Sequence, residues 1–218
     1  MPFSALEDKK DQLIRRTRDG SAFIADFSAA AITAITTTNS DLATLPVGYG
    51  DLGLTSTDGV TYARTTTVSD VNSFGRVEPS RSDVTKDVIE MTVTAQETKL
   101  LTMGLYTGVD TTGLLADHTT GEVQIAKPAR PAIKHYRVLG IFLDAADDGS
   151  EIYIARFMPR ARITAFGEQK YDDGDGSFVG YQMTFTGYED SVLGYSHKWF
   201  WGGPGWLALL ADMGITQA

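Results

Sequence analysis

The sequence predicts a mainly β protein: an antiparallel β-sandwich or barrel with one flanking α-helix, long loops and terminal arms. Three observations lead there. Strand-patterned segments follow one another from Val60 to Trp201, separated by turn residues such as the "AADDGS" between "FLD" and "EIY". Only one stretch in the middle of the chain carries a convincing helix pattern, so the strands must find their cover mainly in one another. Finally, 218 residues with 42% apolar content can bury a core without metals or disulfides, and the chain has no cysteine.

Taken in order, residues 1–20 are expected to form an N-terminal arm with a short helix. "SALE" is a capping box, in which Ser4 accepts from the Glu7 amide while Glu7 reaches back to the Ser4 amide. Leu6, Leu13 and Ile14 make a narrow stripe, and Gly20 is the stop. So thin an apolar face among charges suits an arm resting on another surface. Residues 21–201 follow as the β-domain. "FIADFSAAAITAITTT" reads as a strand because Thr and Ile favour pleated structure. "NSDLATLPVGYGDLGLTSTDGV" is full of turn signals and reads as a long ordered loop.

"VTYARTTTV" opens the strand series. In "DVIEMTVT", Ile89, Met91 and Val93 alternate with Val88, Glu90 and Thr92, the pattern of a half-buried strand. "GEVQIAK" sets Val123 and Ile125 on one face, and "HYRVLGIFLD", "EIYIARFM", "RARITAFG" and "FVGYQMTFTGY" complete the set. The helix is expected near 95–107 in "TAQETKLLTMGLYTG". Thr94 and Glu97 form a second capping box, Leu101 and Leu105 lie one turn apart beside Leu100, and Gly108 stands at the C-cap. Gly104 inside it costs roughly 1 kcal/mol against alanine, which a close packing contact would explain.

The residues that carry chemistry are sparse. His118, His135 and His197 share no metal-ligand spacing, and no nucleophile elbow, P-loop or dinucleotide fingerprint occurs. His135, on a strand, reads as a surface or satisfied histidine. The clusters Asp144, Asp147, Asp148, Glu151 and Asp172, Asp173, Asp175 faintly resemble calcium loops. Their twelfth positions are Ala155 and Met183 rather than glutamate, so both read as solvated turns. No catalytic, metal or cofactor-binding residue is assigned, and an enzyme is not expected. The net charge of −9 is spread evenly, with 10 basic and 14 acidic residues in 1–109 and 9 and 14 beyond. Without a basic block, tight nucleic-acid binding is not expected. No apolar run is long enough to span a membrane, and "MPFSALEDKKDQLIRR" lacks a signal-peptide core, which predicts a cytosolic site of synthesis.

"GYSHKWFWGGPGW" holds all three tryptophans, Trp199, Trp201 and Trp206, with Tyr195 and Phe200 beside them. A strand "HKWFW" points Trp199 and Trp201 one way and Phe200 the other. Three readings stand: a strand covered on both faces, a carbohydrate-stacking platform, or a subunit interface. Residues 202–218 read as a C-terminal interaction segment, in which "GGPG" is a hinge and Trp206, Leu207 and Leu210 are presented to a partner.

The stretches "GYGDLGLTSTDGV", "VSDVNSFGRVEPSRSDVTKD", "VTAQETKLLTMGLYTG", "RFMPRARITAFGEQKYDDGDG" and "FTGYEDSVLGYSHKWFWGGPGW" resemble the major tail protein of long, flexible-tailed phages of mycobacteria and related actinobacteria. The likeness runs from about residue 40 to the C-terminus. It implies a β-sandwich with a flanking helix, six copies in a ring, and rings stacked into a tube that conducts the genome. Implied partners are further copies of the chain, a tape-measure protein and tail-end proteins, with double-stranded DNA passing without tight binding. In such a polymer the charged segment "SFGRVEPSRSD" would offer Arg76, Glu78, Arg81 and Asp83 as inter-subunit contacts, with the two arginines pairing across subunits. The tryptophans would then close the sandwich.

Overall fold

The computed structural model describes residue 3 and residues 6–130 and 133–217. Among the described residues eight strands form one antiparallel sheet: β1 (Asp19–Asp26), β2 (Gly50–Asp51), β3 (Thr55–Val71), β4 (Arg81–Ala95), β5 (Tyr136–Ala145), β6 (Glu151–Phe166), β7 (Tyr181–Tyr188) and β8 (Lys198–Gly202). Two helices accompany them, α1 (Leu100–Thr107) and α2 (Pro204–Leu209). The strand order is β2-β1-β5-β6-β7-β4-β3, with β8 branching from β6. The mainly β, antiparallel architecture with α1 on its flank is the one the sequence predicts.

β6 is the strand that organises the sheet. Glu151–Ala161 pairs with β5, Tyr153–Phe157 pairs with β8 on the opposite edge, and Arg160–Phe166 pairs with β7. Both edges of its first half are therefore paired, and a core lies on each of its faces. This explains why "HYRVLGIFLD" and "EIYIARFM" read as continuous apolar runs rather than as alternation: Val138 and Leu139 are adjacent, point to opposite faces and are both buried, as are Phe157 and Met158. One core gathers Ile24, Met91, Val93, Val138, Met158 and Phe185, with Leu105 of α1 against it. The other lies across the sheet, where Ile32 and Ile35 cover Leu139, Ala155 and Phe157. The alternation in β4 is as expected, with Ile89, Met91 and Val93 buried.

Several local expectations are corrected. β1 ends at Asp26, whose carboxylate receives the Ser28 amide and hydroxyl at 2.9 and 2.8 Å and turns the chain. Ile32 and Ile35, three apart, cannot share one face of a strand, and residues 27–35 instead run as an irregular cover over the sheet. The loop before β3 is shorter than its turn signals suggest, since the strand begins at Thr55, although residues 56–59 bulge out between the paired Thr55 and Val60. "GEVQIAK" joins no ladder; its two apolar side chains do not suffice for a lone strand.

The second capping box does not form. Thr94 belongs to β4, and the Glu97 carboxylate instead accepts the Leu54 amide at 2.7 Å and pairs with Lys99 at 2.7 Å. Helix α1 starts only at Leu100. Its end is as expected, with Gly108 left-handed at φ 68°. A Cβ at Gly104 would stand 2.8 Å from the Thr111 hydroxyl, the close contact that its presence implied.

Ser4 lies outside the described residues. Of the expected N-terminal helix, the arm shows a 3-10 turn at Asp11–Leu13, and Leu6 and Ile14 are exposed. The arm does rest on other parts of the chain. Lys10 Nζ donates to the Asp212 carbonyl at 2.9 Å, the Arg18 amide donates to Leu143 O at 2.8 Å, and Arg15 pairs with Asp144. The C-terminal segment does not swing free at "GGPG". A Cβ at Gly205 would lie 2.6 Å from the Ser150 carbonyl, so α2 packs directly against the entry to β6.

Candidate functional site

Thr- and Val-rich β3 and β4 suit a pleated surface, and pairs across the two strands carry their ladder beyond the rest of the sheet. Their ladder runs to Val71↔Arg81, yet β4 meets β7 only over Glu90–Ala95. Beyond Ile89 the pair is a two-stranded ribbon in solvent, and every residue from Ala63 to Asp87 is exposed. Cross-strand polar pairs hold it: Arg64 forks onto Asp87 at 2.8 and 2.5 Å, and Ser82 donates to Asp70 at 2.6 Å. The Arg64 guanidinium keeps the Asp87 carboxyl below the usual carboxylate range.

At the ribbon's end Phe74 and Val77 are fully exposed, and Val68, Val71 and Val84 are more than half exposed. Of the charged quartet, Arg76 and Glu78 lie in the tip loop, as their proline-containing context suggests. Arg81 and Asp83 lie in β4 instead, where Arg81 forks onto Asp83 at 2.7 and 3.0 Å. Arg81 therefore already holds a carboxylate within its own chain. Among the described residues no carboxylate pairs with Arg76.

The root of the ribbon is pinned by a cluster that the sequence does not reveal, because Tyr62, Arg156 and His197 come from three distant segments. The Arg156 guanidinium lies 3.9 Å from the Tyr62 ring centroid and 5.6 Å from that of Trp199. Its Nε donates to His197 Nε2 at 3.1 Å, which requires the neutral imidazole with its proton on Nδ1. Burial first, and the arginine charge second, push the His197 pKa down to about 4. Burial also pushes the Tyr62 hydroxyl well above its ordinary range.

The aromatic stretch divides by face. Phe200 packs into the outer core with Tyr195 beside it. Trp199 and Trp201 remain 41% and 49% exposed, and Trp201 stacks on Trp206 with centroids 6.0 Å apart. Phe200 rather than the tryptophans thus packs into the core, and the tryptophan face of β8 stays half exposed. Leu207 is exposed and Leu210 half-buried, so the two are not presented equally.

A groove of about 570 Å³ opens where β1, β5 and the chain before β3 meet. Its apolar lining includes Leu42, Leu54, Ile141 and Leu143, and Asp19, Asp51, Glu97 and Glu151 with Lys99 edge it. Sequence reasoning missed it, since no single segment supplies it. Among the described residues no three of His, Cys, Asp or Glu are grouped to hold a metal, and no helix is long and apolar enough to cross a membrane. The acidic turns form hairpin contacts; Asp148 accepts the Ser150 amide at 2.9 Å.

No curated protein matches the chain. Among solved structures, one titled "Crystal structure of Hcp protein" aligns over 83% of this chain and 98% of its own, with 11% identity and a TM-score of 0.31. The fold stands on its own strands. The family described as "Phage tail tube protein" matches residues 9–199, which takes in the whole sheet up to β8 and both strands of the projecting ribbon. The chain belongs to the phage tail tube protein family.

Proposed function

We propose that this chain is the virion structural protein that self-assembles into stacked hexameric rings, forming the tail tube through which the phage genome passes. The observation that carries the reading is the β3–β4 ribbon, which takes Phe74 and Val77 into solvent where nothing in its own chain covers them. Exposed apolar side chains at the end of such a projection ask for a partner. Membership of the tail tube family makes another copy of the chain the natural one. Such a role requires no catalysis and no cofactor. An acidic chain also suits a conduit, since like charges deny DNA the counterion release that drives capture.

The finer parts of the reading belong to the same proposal. Residues 1–20 act as an arm, 21–201 as the tube domain and 202–218 as an interaction segment with Trp206, Leu207 and Leu210. Tape-measure and tail-end proteins are the further partners, the particle is a long-tailed phage of mycobacteria or related actinobacteria, and synthesis is in the host cytoplasm. A second reading, a carbohydrate-binding module, draws support from the half-exposed Trp199 and Trp201.

Negative-stain electron microscopy of the purified protein, with light scattering, separates the two. Rings or hollow tubes are the expected result. Solitary monomers whose tryptophan fluorescence is quenched by glycans would overturn the tube and favour the module.

A further inference from the structure

Two features of this molecule are complementary and lie at opposite ends of one strand. Leu54, in the groove, immediately precedes β3; Phe74 follows its far end. The 17 residues of β3, at about 3.3 Å each, put the ribbon's tip roughly 50 Å from the groove. The tip cannot reach the groove of its own chain.

We propose that the tip of the β3–β4 ribbon, Phe74 and Val77 with Arg76 between them, seats in the acidic-rimmed groove beside Leu54 of a second copy of this chain. The inference rests on the self-assembly reading above and names the contact that would carry it. Apolar matches apolar: Leu42 and Leu54 are exposed on the groove side, as Phe74 and Val77 are on the tip. A volume of about 570 Å³ accommodates an aromatic and an aliphatic side chain together.

Charge matches as well. Lys99, the cation at the rim, is already held by Glu97 at 2.7 Å. Asp19 and Glu151 form no ion pair among the described residues, and Asp51 shares the field of Lys99 without an ion pair of its own. Asp51 accepts the Ser21 hydroxyl and the Gly53 amide through the same Oδ1, leaving Oδ2 open. Arg76 arrives from the other copy without a carboxylate of its own. A donor at one end and an acceptor at the other make a heterologous contact, which each added copy renews.

The absence of cysteine from the chain makes the test direct. Leu54→Cys and Val77→Cys are combined in one full-length chain, which is treated under assembly conditions with a short bismaleimide and run on a denaturing gel. Both positions are exposed, so the substitutions leave the fold intact. The expected result is a ladder of covalent species above the dimer. Each single variant stops at the dimer, and a control joining Val77→Cys to Val192→Cys, exposed in the β7–β8 loop, gives no ladder. A double variant without species above the dimer, or a ladder equalled by the control, would overturn the contact. Electron microscopy of the unmodified protein keeps the two ideas apart. Hollow tubes without a Leu54–Val77 ladder leave the tube reading standing and remove this contact, whereas a ladder without tubes does the reverse.

Discussion

Arg156 is a half-buried cation packed against aromatic rings, and among the described residues no carboxylate pairs with it. Its compensation is the faces of Tyr62 and Trp199 and the lone pair of His197, and that arrangement fixes the protonation state of the histidine. With a folded pKa of about 4 against an ordinary 6.5, His197 binds fewer protons in the folded chain than in the unfolded one between those values. The sign follows from linkage: this contribution to stability is complete above about pH 6.5 and is lost as pH falls towards 4. After allowance for solvent screening the loss is on the order of 2 kcal/mol. Urea unfolding at pH 7 and pH 5 should therefore show a steeper decline for the wild type than for His197→Gln, whose side chain can still accept from Arg156 but does not titrate. Equal declines in the two proteins would remove the histidine from the account. No pattern in the sequence announces this cluster, because 41 residues separate Arg156 from His197 and 94 separate Tyr62 from Arg156. Only the pairing of β6 with β8, and the crossing of β3 above them, brings the three together.

Among the elements, the ribbon is the one whose stability and role are separable. Its outer part touches nothing but itself, so removing it should leave both cores intact. Val68 and Val84 face each other across the ladder, which lets residues 69–83 be replaced by Asn-Gly, the pair suited to a two-residue hairpin turn. The shortened protein is expected to keep the wild-type melting temperature within a few degrees while losing all polymer by sedimentation. A large fall in melting temperature would make the ribbon part of the fold, and normal polymerisation would remove it from assembly. How legible each element was follows from its surroundings. Strands flanked on both sides, β5 and β6, announce themselves as apolar runs, and β4 alternates where one face is buried. The outer ribbon buries neither face, so Thr, Ser and Asp there carry no periodicity, and "SFGRVEPSRSD" looks like a loop from end to end. Thr94 and Glu97 have the spacing of a capping box, but β4 claims the first and the Leu54 amide the second. The charged tip was therefore visible in the sequence, and the groove was not, since its walls come from β1, β2, β5, β6 and three loops.

For the molecule as a whole, the net charge of −9 opposes any polymer of identical copies. Each added subunit brings the same excess of carboxylates close to its neighbours, while the proposed Arg76 contact offers a single compensating cation per junction. The repulsion is summed over the surface and the attraction is local and partly desolvated, so salt weakens the first more than the second. At about 0.15 M ionic strength the Debye length is near 8 Å, short enough to screen charges across a ring but not those in contact. The concentration needed for polymerisation is accordingly expected to fall as sodium chloride is raised from low to moderate values, measured by sedimentation at fixed pH 7. A rise instead would mean that cross-subunit ion pairs dominate the interfaces. The same charge governs the passenger. Assembled protein mixed with linear double-stranded DNA should leave the DNA in the supernatant even at low salt, where a basic surface would bind it most strongly. Co-sedimentation at low salt that disappears at high salt would identify a basic face hidden by the even distribution of charge along the chain, and the conduit would then have to hold its DNA rather than merely let it pass.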